Sequence, residues 1–77
     1  MQAFLEFVVK GLVNHPEAVT VTPVVKDALT IYELRLHPDD VGKIIGKSGR
    51  VISAIRCVVS AVAAKSRERA NVKVVTD

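Results

Sequence analysis

Two glycines enclose two polar residues in the segment Ile45-Gly46-Lys47-Ser48-Gly49-Arg50-Val51-Ile52, where residue types and spacing favour binding chemistry. Glycine at each end permits backbone dihedrals closed to other residues and removes Cβ atoms that would hold a ligand backbone away. We expect Gly49 to begin a helix, whose first amide groups lack intrahelical partners and favour an anion. Because Lys47 and Arg50 add positive charge, the pattern predicts a loop across which a phosphate chain can run.

A nucleotide-binding P-loop is the alternative interpretation of the stretch from Gly42 to Ser48. That motif has four residues between its first glycine and Gly-Lys-Ser, whereas Gly42 and Gly46 enclose three. The preceding segment is also predicted to be helical rather than a strand, and a chain of 77 residues is too short to house the remainder of such a site. The spacing therefore argues against a P-loop.

Residues that act in enzymes or bind metals are few, since the chain has two histidines and one cysteine. His37, Asp39 and Asp40 could bind a metal, but the start of a helix at Pro38 explains them better, because aspartates suit the positive end of a helix. No nucleophile and base stand at a readable spacing. We therefore expect no enzyme, no metal and no cofactor, and we interpret Cys57 as a small helix residue.

The first half of the chain predicts one helix and two strands. Residues 2–14 have an apolar face at helical spacing, formed by Phe4, Leu5, Val8 and Leu12. Residues 18–26 are typical of a strand, and Pro23 places it at a sheet edge or at a bulge. After a turn at residues 26–28, residues 30–37 alternate as a half-buried strand with one face formed by Tyr32, Leu34 and Leu36.

The second half predicts a short helix over about 38–45, a longer helix from about 49 to 68, and a closing strand over 71–76. The longer helix is expected to carry a polar arc formed by Arg50, Ser53, Arg56, Ser60 and Arg67. The order helix, strand, strand, helix, helix, strand predicts an α+β domain in which three helices pack on one face of a three-stranded sheet.

Composition limits the class of protein. The chain is 49% hydrophobic with a net charge of +3 and a pI near 9.4, which is globular and compatible with an anionic partner. No apolar run approaches the roughly 20 residues that span a bilayer, so no membrane partner is expected. A single cysteine excludes an internal disulfide and suits a reducing compartment, so we expect a cytoplasmic protein. A length of 77 residues allows one domain, which we expect to span residues 1–77.

The loop and its flanks resemble the KH family of RNA-binding domains, whose core Ile-Gly-x-x-Gly-x-x-Ile stands here as residues 45–52. The element order is similar to that of the type II KH arrangement, and the resemblance extends over the whole chain. It is greatest to the small bacterial family of stand-alone KhpA/YlqC-like KH proteins. The resemblance implies binding of single-stranded RNA, in post-transcriptional regulation or as an RNA chaperone.

The resemblance also implies roles for individual residues. The loop from Gly46 to Gly49 would clamp the backbone of about four unpaired nucleotides. An apolar floor under the bases would be formed or supported by Ile44, Ile45 and Ile52, although Ile52 also suits the core. Phosphates would be met by Lys43, Lys47 and Arg50, with Arg56 as a more distant candidate.

A protein-interaction module is the second functional hypothesis. No aromatic residue lies near the loop for base stacking, and one small domain offers a limited RNA contact. The resemblance implies pairing as a homodimer or a heterodimer with another KH-domain protein, and the end of the long helix is a first guess at the interface.

Overall fold

The structure, a computed structural model, describes residues 1–75, with position 47 described by its backbone alone. Within these residues the chain forms three α-helices, which are α1 (Gln2–Lys10), α2 (Pro38–Ile45) and α3 (Arg50–Lys65). The strands are β1 (Thr20–Lys26), β2 (Leu29–Arg35) and β3 (Arg69–Val75). A single turn of 3₁₀-helix lies at Pro16–Ala18, and Lys47–Gly49 form a tight turn in which Ser48 has a positive φ. The predicted α+β class and element order are confirmed.

The three strands form one sheet in the order β1-β2-β3. Strands β1 and β2 are an antiparallel hairpin whose two turn residues, Asp27 and Ala28, both have positive φ. This is the geometry that matches the twist of the flanking strands. Strand β3 pairs parallel to β2, so β1 and β3 are the two edges. Pro23 therefore lies on an edge strand, as predicted, where its missing N–H costs no central ladder bond.

The core lies between one face of the sheet and the helices. Strand register aligns Val21, Leu34 and Val74 in one row of this face and Pro23, Tyr32 and Val72 in the next. The helices bury Leu5, Val9, Ile44, Ile52, Ile55, Val59 and Ala63. Each large side chain buried in this way contributes about 1.5–3 kcal/mol relative to exposure. Apolar packing from all three helices therefore holds the loop between α2 and α3 in place.

Helix α1 ends at Lys10 rather than at the predicted residue 14. The N–H of Leu12 bonds to the carbonyl of Val9, which tightens the last turn. The N–H groups of Asn14 and His15 then bond to the carboxylate of Asp40 instead of to helix carbonyls. The prediction was wrong at this end because a distant side chain takes over the backbone amides.

Helix α3 ends at Lys65, three residues before the predicted end. Arg67 has a φ of 57°, and the N–H groups of Arg67 and Glu68 bond back to Ala64 and Ala63. This is a Schellman motif, in which the left-handed position is usually glycine. Because Arg67 occupies it, the sequence has no glycine to mark the end. Arg67 is therefore not on the helical arc predicted for it.

Strand boundaries differ from the predictions by up to two residues. Strand β1 begins at Thr20 because Pro16–Ala18 form a helical turn, and β2 spans Leu29–Arg35 rather than 30–37. Strand β3 begins at Arg69, two residues before the predicted start, and the predicted last strand residue, Thr76, lies outside the described residues. No helix within residues 1–75 is both long and apolar enough to cross a membrane.

Candidate nucleic-acid interface

The loop between α2 and α3 has the backbone geometry that the paired glycines predict. Gly46 has φ 64° and ψ 179°, a combination that is open essentially to glycine alone. Its N–H caps α2 by bonding to the carbonyl of Gly42 at 2.7 Å. Gly49 has φ 66° and ψ 23° and is the residue before the first turn of α3. The positive φ angles of Gly46 and Gly49 thus let the chain turn directly from α2 into α3.

The start of α3 offers amide donors beside the loop. Gly49 occupies the N-cap position and has no side chain with which to bond the first amides. No acidic residue lies in the first turn of α3, where a carboxylate would compete with an incoming anion. The partial positive charge of a helix N-terminus favours an anion at this position.

The structure separates the three isoleucines that were expected to form an apolar floor. Ile44 is fully buried and Ile52 is 6% exposed, so both belong to the core. Ile45 is 40% exposed beside the loop. Ile45 is therefore the member with surface available to a ligand, while the other two support the helices on either side of it.

The basic residues predicted to contact phosphates lie in the loop or on the helices that flank it. Lys43 is in the last turn of α2 and Arg50 is the first residue of α3, and both are exposed. Ser48 is exposed, with a φ of 63°. The side chain of Lys47 lies outside the described part of the chain, so its predicted role is untested.

Arg56 is held at the outer edge of the sheet. Its Nε donates a hydrogen bond of 3.2 Å to the carbonyl of Val72 in β3. The N–H of the same Val72 is bonded to the side chain of Asn71 at 2.8 Å. One of the five N–H donors of Arg56 is thus engaged in joining α3 to β3, and the others are not committed by this bond. Nothing in the spacing of Arg56 signalled this contact.

An apolar groove between α1 and α3 was not anticipated from the sequence. It has a volume of about 520 Å³ and is lined by Phe4, Val8, Leu12, Val51, Ala54 and Val58, among other residues. Arg50 also lines it, so the groove and the loop share one residue at the start of α3. Phe4, Leu12 and Val58 are each more than 40% exposed, and Phe4 and Leu12 belong to the apolar face predicted for the first helix.

Asp40 fixes the position of α2, whose other end carries the loop. Its side chain has no exposed surface, and its two carboxylate oxygens accept the N–H groups of Asn14 and His15 at 3.0 and 2.9 Å. Burial alone would raise the pKa of Asp40, but these two bonds, followed by the electrostatic effects of His15 and Lys43, hold the pKa below its usual range. The interpretation of the aspartates as helix-start residues is too narrow here, because Asp40 ties α2 to the α1–β1 connection.

This pKa predicts a pH dependence of folding. A group whose pKa is lowered in the folded state stabilises it above the unfolded value of about 3.9 and loses this effect as pH falls. Asp40→Asn should unfold at a lower urea concentration than the parent at pH 7. The side-chain NH₂ of asparagine would replace one accepting oxygen, so one of the two backbone N–H groups would lose its hydrogen bond. The variant should also lose part of the acid-induced decline below about pH 4. Equal unfolding midpoints for the two proteins at pH 7 would contradict this role, and Asp27→Asn is the surface control.

The order of elements, with a glycine-x-x-glycine loop between the second and third helices, defines a type II KH domain. The family model described as KhpA/KhpB, KH domain, matches residues 2–74. The chain belongs to this family.

Relatives of similar length support the assignment. A Clostridium perfringens protein named RNA-binding protein KhpA is 41% identical over 75 residues, which cover 97% of this chain and 100% of the relative. Proteins of the same name from Chlamydia pneumoniae and Oceanobacillus iheyensis are 39% identical over 77 residues and 46% identical over 61 residues. These matches cover 100% and 79% of this chain, and 99% and 81% of the relatives.

Proposed function

We propose that this chain is a single-domain cytoplasmic RNA-binding protein that holds about four unpaired nucleotides through the Gly46–Gly49 loop. The carrying observation is the backbone of that loop, where two positive-φ glycines lead into the uncapped start of α3. A sugar-phosphate backbone suits this shape because its anionic groups meet amide donors and no Cβ atom stands at either glycine. The names of the relatives give independent support for RNA as the ligand.

The bases of the bound strand would lie against Ile45, with Lys43 and Arg50 near its phosphates. Ile45 offers apolar surface without an aromatic ring, so contact with bases is dispersive and tolerant of sequence. A base must leave a duplex before its face can reach such a surface. Post-transcriptional regulation or RNA chaperoning, both of which act on unpaired segments, would use this mode of binding.

Single-stranded RNA should therefore compete much better than duplex RNA of matched sequence for a labelled RNA bound to this chain. We expect a preference of at least about tenfold, because base contacts are lost in a duplex whose readable groove displays only 2′-hydroxyls and base edges. Fluorescence anisotropy at fixed salt measures both competitions. Equal competition by the duplex would rule out the proposed contact with Ile45 and leave a purely electrostatic site.

We also propose that two copies of this chain pair through the exposed apolar surface of α1 and α3. Phe7 is 78% exposed and lies one turn along α1 from Phe4, which lines the groove. A protruding apolar side chain beside an apolar groove gives the self-complementary surface that a twofold dimer needs. Large exposed apolar patches of this kind mark interaction sites. This location replaces the end of α3 as the candidate interface.

Sedimentation equilibrium at micromolar concentrations tests this pairing. The parent should contain dimer, and Phe7→Glu should shift it to monomer because a charge would be buried in the partner's groove. Val25→Glu is the matched control, since Val25 is 73% exposed on β1 and does not line the groove. A parent that is monomeric alone but pairs with a second KH protein would replace the homodimer by a heterodimer.

A further inference from the structure

Two histidines and an aspartate from separate parts of the chain meet beside the start of α2. His15 lies in the connection between α1 and β1, whereas His37 and Asp39 flank Pro38. The rings of the two histidines stack with centroids 3.9 Å apart and 20° between their planes. Asp39 Oδ2 lies 3.8 Å from His15 Nε2 and 3.6 Å from His37 Nδ1. All three residues thus bring possible ligand atoms within 4.8 Å of one another.

The surroundings determine which ring nitrogens carry a hydrogen in the neutral imidazoles. His37 Nδ1 accepts the backbone N–H of Asp39 at 3.1 Å, so its hydrogen lies on Nε2 and its lone pair is engaged in this bond. His15 Nδ1 faces Glu17 Oε1 at 3.5 Å, which favours the tautomer with its hydrogen on Nδ1. Neither nitrogen that faces Asp39 therefore carries a hydrogen, and an ion at His37 Nδ1 would replace the Asp39 N–H at its lone pair.

Two imidazole nitrogens without a hydrogen and a carboxylate oxygen thus lie close enough together for a single cation to reach all three. We propose that His15, His37 and Asp39 bind a divalent late transition metal ion, with zinc as the first choice. Imidazole nitrogen and carboxylate oxygen are both common ligands of zinc. Glu17 would take the part of the outer carboxylate that orients a metal-binding histidine and makes its ring more basic.

The distances are close to those that a metal requires. Tetrahedral bonds of about 2.0–2.2 Å place neighbouring ligand atoms about 3.3–3.5 Å apart. The two separations of 3.6 and 3.8 Å exceed this range by a few tenths of an ångström. Because each lone pair lies in its ring plane, the rings must also tilt out of their stack. Side chains that are about one-third exposed, such as those of His15 and His37, have room to do so.

Asp40 is not part of this site, because its carboxylate is fully buried and its two oxygens face the backbone amides of Asn14 and His15. Three protein ligands leave a fourth position for water or another ligand. The ion would join the α1–β1 connection to the first turn of α2, in parallel with Asp40. Binding to the folded chain alone would therefore raise its melting temperature.

Titration of the untagged chain with zinc at about pH 7.5, where free imidazole is mostly neutral, tests the proposal. Calorimetry should show one zinc per chain, and NMR should show both imidazole ring signals shifting together. The chain has two histidines, so these signals report on the cluster alone. Melting temperatures with and without zinc provide a third readout.

Three variants each remove one ligand while keeping other roles of the residue. His15→Gln keeps a polar side chain, His37→Asn keeps an N-cap acceptor for α2, and Asp39→Asn keeps the shape of the first turn. Each should lower zinc affinity by at least about tenfold. Asp27→Asn, which removes a carboxylate from the distant hairpin turn, should bind zinc as the parent does.

The proposal is overturned if the parent binds no zinc at one per chain. It is also overturned if His15→Gln and Asp39→Asn bind zinc as tightly as the parent, or if zinc binds without moving the ring signals, as binding at the exposed Cys57 would.

Discussion

Replacing Lys47 and Ser48 together by aspartate is expected to lower RNA affinity by about 100-fold or more, with the fold retained. Each new carboxylate about 4 Å from a phosphate costs about 1–4 kcal/mol, depending on how well water screens the pair. Two such costs sum to about 2–8 kcal/mol, a range that includes the roughly 2.8 kcal/mol corresponding to 100-fold in affinity, and the lost attraction of Lys47 adds to them. Ser48 is exposed with a φ of 63°, a conformation that aspartate tolerates better than most residues do.

The matched control is Lys47→Gln with Ser48→Asn, which makes side chains of similar size without negative charge. Its RNA affinity should fall about tenfold or less, since only the attraction between Lys47 and phosphate is removed. Fluorescence anisotropy measures affinity for both variants, and circular dichroism with thermal melting checks their folding. A folded double-aspartate variant that binds RNA like the parent would place the site elsewhere on the molecule.

Alanine at Gly46 should destabilise the chain, whereas alanine at Gly42 should stabilise it. The φ of 64° and ψ of 179° at Gly46 cost a residue with a Cβ atom about 1–3 kcal/mol. The cost is conformational, because the added Cβ would meet its nearest atoms at an ordinary 3.7 Å. At Gly42, inside α2, an added Cβ meets nothing within 4 Å. Removing a helical glycine there gains about 0.5–1 kcal/mol.

Urea unfolding at neutral pH measures both changes, and RNA binding separates their meaning. Gly46→Ala should also lose affinity, since relief of its strain must move the loop that contacts the phosphates. Gly42→Ala should bind like the parent, because its Cα lies in α2 before the loop. Equal stability of Gly46→Ala and the parent would show that the loop does not depend on this conformation.

Local pattern was sufficient to predict elements whose causes are local. Helix α2 was predicted at its observed limits of 38 and 45, because Pro38 and Gly46 mark its ends by their own backbone preferences. The alternation of Tyr32 and Leu34 predicted the buried face of β2, and Pro23 predicted an edge strand. The ends of α1 and α3 were not predictable in this way. Asp40 draws the chain out of α1 from 25 residues away, and Arg67 occupies a position at which glycine is the usual signal.

The amino-acid sequence by itself determined the α+β class, the loop and the family of this protein, because helical and strand periods and two glycines act over a few residues. The tertiary structure decided which of these residues face solvent. Packing buried Ile44 and Ile52, left Ile45 exposed, and joined Arg56 to β3. It also brought His15 against His37, which are 22 positions apart in the sequence. Such contacts depend on how separate elements pack against each other, so they cannot be predicted from the spacing of residues along the sequence.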